Sequence, residues 1–212
     1  MVSHGQKSRN GIAVPSRVGE IHETRLGLPG DPDPAQSRNF EAAVNGMLIA
    51  GPYLSSGNPR PGPKFDTSSP GSAGSSRMPL SSSTRAPGMF ARDFNVMPTE
   101  RDVGEPERWL DDALFAPEVR AAFFRLIDQG STDSRRNIHP DETIYTLCDY
   151  FRNAYRRDAG LRIDHLFLSA SIADRLVDAQ VDRHVRGWEK TSDHPPTWFE
   201  RGDTKPAFGK RN

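Results

Sequence analysis

The chain has 212 residues, which is enough for one domain with a hydrophobic core. Lys plus Arg and Asp plus Glu number 28 each, so no basic surplus marks the chain as a nucleic-acid binder, although the carboxylates of a metal site can mask a basic patch. A single cysteine excludes an intrachain disulfide, and the lack of an apolar run of about 18 residues excludes a membrane-spanning helix, so a cytoplasmic location is expected.

The first part of the chain predicts short strands followed by a linker. Residues 10–18 are typical of a strand, and residues 42–54 of one buried strand or of a pair joined at Asn45-Gly46. Residues 67–91 are rich in Ser, Gly, Pro and Thr and have no apolar period. This composition predicts a disordered linker.

After the linker, strand patterns alternate with helix patterns. Order resumes at Asp93, where residues 93–96 form a short apolar stretch between polar residues, which predicts a strand end. The apolar spacing predicts helices over 106–115, 117–129 and 170–178, and strands over 143–147, 161–168 and 193–200. Such alternation predicts an α/β or α+β layered domain.

Asp93-Phe94-Asn95 is the first of three polar segments that could carry chemistry. Because residues i and i+2 share one face of a strand, the carboxylate and the amide would point the same way. Such a pair could hold a nucleophilic water and a phosphate oxygen. An Asx turn that closes the strand is an equally good interpretation.

Arg162-Ile163-Asp164-His165 is the second polar segment, and it lies inside the apolar run 161–168. A charge in such a run must be paired or functional. A buried Asp–Arg or Asp–His pair that holds the sheet together is slightly favoured over a catalytic role.

Ser192-Asp193-His194-Pro195 is the third polar segment. A polar turn at the start of a strand is the simpler interpretation. The functional interpretation makes His194 a base and Asp193 a ligand of a metal or a water. All three segments in one chain suit phosphodiester hydrolysis with a hard divalent cation, which prefers oxygen ligands.

Five motifs occur in order along the chain: HGQKSRNG (4–11), YLSSGNPRPGPKF (53–65), DFNVMPTERDV (93–103), YTLCDYFRNAYRRDAGLRIDHLFLS (145–169) and GWEKTSDHPPTW (187–198). In this order they resemble exodeoxyribonuclease III, the AP-endonuclease branch of the endonuclease/exonuclease/phosphatase superfamily. The resemblance covers residues 4–66 and 92–200. It implies a four-layered αβ-sandwich that cuts double-stranded DNA 5′ to abasic sites and removes nucleotides from 3′ ends. Mg²⁺ or Mn²⁺ would be the cofactor, and a monomer is expected.

The same resemblance implies roles for single residues. Asp93 would position or activate the attacking water or assist the leaving group, and Asp164 would orient His194 near the attacked phosphorus. Tyr53 would lie beside the phosphate, to which Asn95 would donate. The implied metal ligands are Asp93, Asn95 and Asp193, and the implied contacts to the DNA backbone are Arg152, Asn153, Arg156 and Arg157.

The sequence also departs from the family, and these departures predict little or no activity. The family has an Asn strand and a strand ending in a metal-binding Glu before the HGQK motif, which begins here at His4, so both are expected to be missing. Residues 67–91 replace a long helix and an apolar strand, and we hypothesise that two compensating frameshifts caused this replacement. Single changes affect further family positions, with Trp replaced at Ser131 and Cys148, and Gly replaced at Arg92 and Arg156.

The expected domain organisation follows from these departures. Residues 1–66 would be the N-terminal part of an incomplete sandwich, 67–91 an aberrant linker, 92–200 the C-terminal part and 201–212 a flexible tail. Two alternatives to an impaired nuclease remain. A non-catalytic DNA-binding remnant would show salt-dependent binding without cleavage, and a pseudogene product would lack a cooperative thermal transition.

Overall fold

The computed structural model of the chain describes residues 1–5, 11–26, 40–51, 56–62, 65 and 87–203. Tyr53, residues 67–86 of the predicted linker and the tail from residue 204 lie outside these ranges. The frameshift hypothesis for residues 67–86 therefore stays a hypothesis.

Ten strands and three α-helices are formed by the described residues. The strands are β1 (Val2–Gly5), β2 (Gly11–Val14), β3 (Ile21–Leu26), β4 (Phe40–Val44), β5 (Met47–Ala50), β6 (Gly88–Asp93), β7 (Thr132–Asp133), β8 (Asp164–Leu168), β9 (Leu176–Val181) and β10 (Thr197–Arg201). The helices are α1 (Pro117–Asp128), α2 (Ser134–Ile138) and α3 (Ala170–Ala173).

A six-stranded sheet in the order β3-β4-β5-β6-β8-β7 is the largest assembly of the described strands. The pair β5–β6 is parallel, and every other neighbouring pair in this sheet is antiparallel. Two antiparallel ribbons, β1–β2 and β9–β10, accompany it. The mixed α/β class predicted from the sequence is thus confirmed.

The turn between β4 and β5 is set by two residues with positive φ, Asn45 at 47° and Gly46 at 74°. A two-residue hairpin of this kind matches the twist of the strands and requires positive φ at both positions. The Asn45 side chain also donates from Nδ2 to the Val18 carbonyl at 2.8 Å. The interpretation of residues 42–54 as a pair of strands is therefore correct.

Helix α1 covers one face of the sheet with its apolar side. Phe123 is buried and packs against Phe94 and Phe167, which are in edge-to-face contact at 5.0 Å between ring centroids. Pro117 occupies the first turn, where its missing N–H costs nothing. The helix predicted over 117–129 is confirmed. Truncating a buried Phe here would cost about 3–5 kcal/mol.

Arg162 joins two acidic side chains in a buried ionic cluster on the same side of the sheet. Its Nε donates to Asp102 Oδ1 at 2.6 Å and its Nη1 to Asp133 Oδ2 at 2.7 Å. The arginine is 2% exposed, Asp102 is 0% exposed and Asp133 is 6% exposed. Burial alone would raise the pKa of both carboxyls. The charge and hydrogen bonds of Arg162, together with Thr99 and Arg136 at Asp102 and His165 at Asp133, nevertheless hold both pKa values below their usual range.

His165 belongs to the same buried cluster. Its Nδ1 lies 3.0 Å from Nη1 of Arg162, and its Nε2 lies 3.2 Å from the Val96 carbonyl. Nδ1 also lies 3.5 Å from Asp133 Oδ2, so the imidazole adjoins both Arg162 and Asp133. The structural interpretation of the second polar segment is thus correct for Arg162 and His165, although their acidic partners are not Asp164.

Several element boundaries differ from the sequence predictions. The helix predicted over 106–115 is wrong, because Glu105 has positive φ and Asp112 is extended, leaving two 3₁₀ turns at Pro106–Arg108 and Ala113–Phe115. The strand predicted over 143–147 is reduced to a single bridge between Leu147 and Leu161. The strands predicted over 161–168 and 193–200 begin only at Asp164 and Thr197, and the helix over 170–178 gives way to β9 at Leu176.

The predicted linker is too long at its C-terminal end. Residues 88–91 belong to β6, in which Gly88 pairs with Leu48 of β5 and the pairing with β8 begins at Met89. Gly88 is buried, and its N–H donates to Ser169 Oγ at 3.0 Å. The resemblance predicted that residues 67–91 replace an apolar strand. That strand is present as β6.

In the ranges that the structure describes, no helix has both the length and the apolar character needed to cross a membrane. The cytoplasmic location and the monomeric state remain predictions.

Candidate active site

Asp93 and Asp164 lie at one edge of the sheet, where β6 ends and β8 begins. They are register partners in the antiparallel pair, and the Phe94 N–H continues the ladder to the Ile163 carbonyl at 2.8 Å. Because neighbouring strands bring directly opposed residues close together, two carboxyls meet at this edge.

His194 completes this group from the loop before β10. Its Nδ1 lies 2.8 Å from Asp164 Oδ2, and the two side chains are 32% and 22% exposed. Its backbone N–H donates to Ser192 Oγ at 3.1 Å, which fixes the turn. A carboxylate on Nδ1 holds the imidazole in one orientation and leaves Nε2 for a substrate.

Thr146 anchors the backbone at Asp164, although no pattern in the sequence points to this residue. Its Oγ1 accepts the N–H groups of Ile163 at 3.0 Å and Asp164 at 2.9 Å. The residue is 1% exposed, so this anchor is shielded from water. A Cβ on residue 160 would lie 2.5 Å from the Leu147 carbonyl oxygen, so the close approach of these two segments requires Gly160.

The segment after Thr146 also holds the histidine loop. The Cys148 N–H donates to the Asp193 carbonyl at 2.9 Å, and Arg186 Nε donates to the Cys148 carbonyl at 2.7 Å. Cys148 itself is fully buried. The two halves of the His194–Asp164 pair are therefore attached to one short stretch of chain.

Asn95 follows Asp93 in an Asx turn. The Asn95 N–H donates to Asp93 Oδ1 at 2.8 Å, and Asn95 has a φ of 50°. The prediction that the side chains of Asp93 and Asn95 share one face of a strand is therefore wrong, because β6 ends at Asp93. The alternative, an Asx turn that closes the strand, is confirmed. The turn keeps the backbone N–H of Asn95 next to the carboxyl of Asp93.

The charges at this edge shift two pKa values. Burial, and next the charge of Asp164, raise the pKa of Asp93 to about 6, against the opposing effects of the Asn95 N–H, His194 and Arg92. The hydrogen bond with Asp164 raises the pKa of His194 despite partial burial, and the charges of Asp93 and Asp193 add to this. Asp93 can thus exchange protons near neutral pH.

The described residues offer only part of a metal site. Asp93, Asp193 and Asn95 carry the oxygen donors that Mg²⁺ and Mn²⁺ prefer. Among the residues with described positions, however, no group of three or more His, Cys, Asp or Glu side chains is placed to hold a metal ion. These donors have the right chemistry, but they do not amount to a complete site.

The predicted DNA-contacting residues form a separate exposed segment. Arg152, Asn153, Arg156 and Arg157 are exposed, and the first two have φ values of 54° and 55°. Arg157 Nε donates to the Arg152 carbonyl at 3.0 Å, and Arg157 Nη1 lies 3.8 Å from Glu105 Oε1.

Of the residues predicted to carry the chemistry, the structure brings together Asp93, Asn95, Asp164 and His194. Asp193 adjoins them, and Tyr53 lies outside the described residues.

Comparison with known proteins decides the family. No family model matches the chain. Exodeoxyribonuclease III of Haemophilus influenzae is 31% identical over 210 residues, covering 93% of this chain and 78% of that protein. The chain belongs to the exodeoxyribonuclease III family.

Solved structures agree with this membership of the family. A 3′ phosphatase from Neisseria bound to a product DNA hairpin has a TM-score of 0.84 and 33% identity, covering 95% of this chain and 78% of that chain. An AP endonuclease from Archaeoglobus fulgidus has a TM-score of 0.82 and 28% identity, covering 94% of this chain and 78% of that chain. The predicted resemblance and the sandwich-type fold are confirmed.

Proposed function

We propose that the chain is a DNA-repair phosphodiesterase that acts on 3′ ends and abasic sites of double-stranded DNA. The observation that carries this proposal is the His194–Asp164 pair at 2.8 Å, placed beside Asp93. The similar proteins support DNA as the substrate, because one of them was solved with a DNA hairpin and another is an AP endonuclease.

His194 and Asp93 would divide the proton transfers. Since Nδ1 of His194 donates to Asp164, its Nε2 accepts a proton when the imidazole is neutral and donates to a phosphate oxygen when the imidazole is protonated. Asp93, with a pKa near 6, can accept the proton of an attacking water or protonate the leaving oxygen. Asn95 would donate its amide to a phosphate oxygen and so stabilise developing charge. Tyr53 would be a second donor to the phosphate.

Mg²⁺ or Mn²⁺ is the proposed cation, with Asp93, Asn95 and Asp193 as its ligands. The proposal rests on the oxygen chemistry of these three side chains. Because the described part of the chain holds no cluster of three ionisable ligands, we expect weak cation binding and slow turnover. Raising the Mg²⁺ concentration should then increase the rate well beyond the level that saturates a relative with a full set of ligands.

The exposed arginine segment would bind the DNA backbone. Arg152, Arg156 and Arg157 can contact phosphates, and Asn153 can donate to them. Such contacts position the duplex without reading its sequence.

A cleavage assay on labelled duplexes tests the proposed function. One duplex carries an abasic site, one a recessed 3′ end, and Mg²⁺ or Mn²⁺ is added. We expect slow cleavage of both, which EDTA abolishes and which His194→Ala reduces at least about 100-fold. Cleavage that His194→Ala leaves unchanged would show that another site, or another protein in the preparation, is responsible.

DNA binding without catalysis is the second candidate function. The incomplete set of metal ligands in the described ranges favours it. Salt-dependent binding to duplex DNA, with no product at any Mg²⁺ or Mn²⁺ concentration, would establish this second function instead.

A further inference from the structure

Two adjoining segments present aromatic rings to solvent next to the histidine loop. Tyr150 is 57% exposed, Phe151 75% and Trp188 64%. Within the described ranges five aromatic residues are exposed, and the remaining two, Phe124 and Trp198, belong to α1 and β10. Large apolar rings are costly to leave in water, so their concentration in one place points to a ligand.

Contacts with basic side chains order these rings. The Arg186 guanidinium lies over the Tyr150 ring at 4.4 Å from its centroid, and the His184 ring contacts Trp188 edge-to-face at 5.9 Å. The Tyr150 hydroxyl donates to the Thr191 carbonyl at 2.8 Å. The surface is thus partly preorganised, which lowers the entropic cost of binding a ligand.

The charges around the rings favour a polyanion. Arg152 is exposed beside Phe151, and Arg183 lies over the Tyr155 ring at 5.2 Å. Acidic neighbours are also present, since Asp158 pairs with Arg183 at 2.8 Å and Glu189 is exposed next to Trp188. Aromatic and basic groups are therefore neighbours on this surface, as they are in proteins that bind single-stranded nucleic acid.

We propose that Tyr150, Phe151 and Trp188 form a stacking surface for the unpaired bases of single-stranded DNA. Bases in a duplex bury their faces against each other, whereas unpaired bases offer them to aromatic side chains, and arginines take the phosphates. This proposal deepens the proposed function and rests on it for the choice of DNA as the ligand.

The position of the stacking surface fits a strand that continues from the cut site. The Tyr150 hydroxyl donates a hydrogen bond to the Thr191 carbonyl, and the Cys148 N–H donates one to the Asp193 carbonyl. These hydrogen bonds attach the segment to the loop that carries His194. An unpaired flank leaving the site can therefore reach the rings without crossing the sheet.

Two oligonucleotides separate stacking from charge. A labelled single-stranded dT oligomer of about 12 nucleotides carries bases, and a propanediol-phosphate oligomer of equal length carries the same number of phosphates without bases or the abasic sugar that the proposed active site would bind. Fluorescence anisotropy at constant salt gives both affinities. We expect the dT oligomer to bind roughly tenfold or more tightly than the base-free oligomer.

Substitution of the rings should remove this preference. Trp188→Ala and Phe151→Ala should each weaken dT binding by roughly tenfold and leave the base-free oligomer unchanged. Phe124→Ala is the matched control, because Phe124 is 41% exposed on α1 and should change neither affinity. Equal binding of the two oligomers by the unsubstituted chain, or equal weakening of both by the ring substitutions, would overturn the stacking surface.

Cleavage of a fully paired abasic duplex distinguishes the two proposals. Trp188→Ala should cleave it at the unsubstituted rate, because that substrate has no unpaired flank. If the unsubstituted chain prefers the dT oligomer but cleaves no duplex, the proposed nuclease function fails and the stacking surface stands. If it cleaves the duplex but binds both oligomers equally, the nuclease function stands and the stacking surface fails.

Discussion

Asp93 and Asp164 are paired across β6 and β8, so two carboxyls with partial access to solvent share one corner of the candidate active site. Burial and the neighbouring charge keep the pKa of Asp93 near 6, above its usual value of 3.8. A buried carboxyl with such a pKa can exchange protons with a substrate, but its ionised form destabilises the fold.

We predict that Asp93→Asn stabilises the fold at neutral pH. The folded state holds the Asp93 proton up to about pH 6, whereas the unfolded state loses it near 3.8, so the free energy of unfolding falls as pH rises through this window. The amide cannot ionise and escapes this loss. Urea titration should show a gain on the order of 2 kcal/mol at about pH 7.5 that disappears below about pH 4. A gain that is the same at both pH values would contradict the assignment.

Asp164→Asn should lower the pKa of His194 and suppress cleavage. The hydrogen bond with Asp164 is the largest cause of the raised pKa, and an amide cannot replace its charge. Because the folded pKa is raised, the pair stabilises the fold below the unfolded pKa of about 6.5, and this contribution is lost as pH rises through the folded value. NMR titration of the imidazole measures the shift.

The control for this titration is Asp178→Asn. The Asp178 carboxyl lies 3.9 Å from His139 and is not among the groups that shift the pKa of His194. An unchanged His194 titration in Asp164→Asn, or an equal shift in both variants, would contradict the conclusion that Asp164 raises the pKa of His194.

Arg162→Met should be among the most destabilising single changes in the chain. It leaves Asp133 buried without its arginine and Asp102 with Arg136 as its remaining cation, and breaking a buried pair typically costs about 3–5 kcal/mol. Arg101→Met breaks an Arg–Asp contact of 2.7 Å whose side chains are 57% and 83% exposed, and it should cost less than about 1 kcal/mol. Thermal or urea unfolding checks the difference, and similar costs for both variants would argue against a buried ionic cluster.

The salt dependence of duplex binding should report on the exposed arginine segment. Each phosphate contact contributes about 0.9 to the slope of log affinity against log salt concentration. Arg152→Ala and Arg156→Ala should each reduce the slope by about that amount. Arg125→Ala, on the exposed side of α1, should leave it unchanged. Equal effects at all three positions would indicate nonspecific attraction rather than a binding segment.

Local signals made some of the fold predictable. The Asn45-Gly46 turn and the helix begun by Pro117 depend on neighbouring residues alone, and both were predicted. The start of β6 at Gly88 was not, because the residues before it look like a linker and the strand is stabilised by pairing with β8. Pairing partners far along the chain leave no local pattern.

The candidate site was predictable in its members but not in their geometry. Asp164 and His165 are adjacent in the sequence, and nothing local shows that one faces His194 while the other is buried with Arg162. Thr146 carries no charge and stands among apolar residues, so its anchoring of Asp164 became visible only when the segments were brought together. The role of Asn95 was inferred from strand alternation that does not extend to it.

The buried cluster of Arg162, Asp102 and Asp133 also constrains how this family can diverge. Its members come from three separate segments, and each is nearly inaccessible to water. A mutation that removes Arg162 leaves the Asp133 carboxylate buried without its arginine, so a tolerated replacement of Arg162 requires a second change at Asp133. Sequence drift at these positions should therefore be slow and correlated, even in lineages where selection on DNA cleavage has been relaxed.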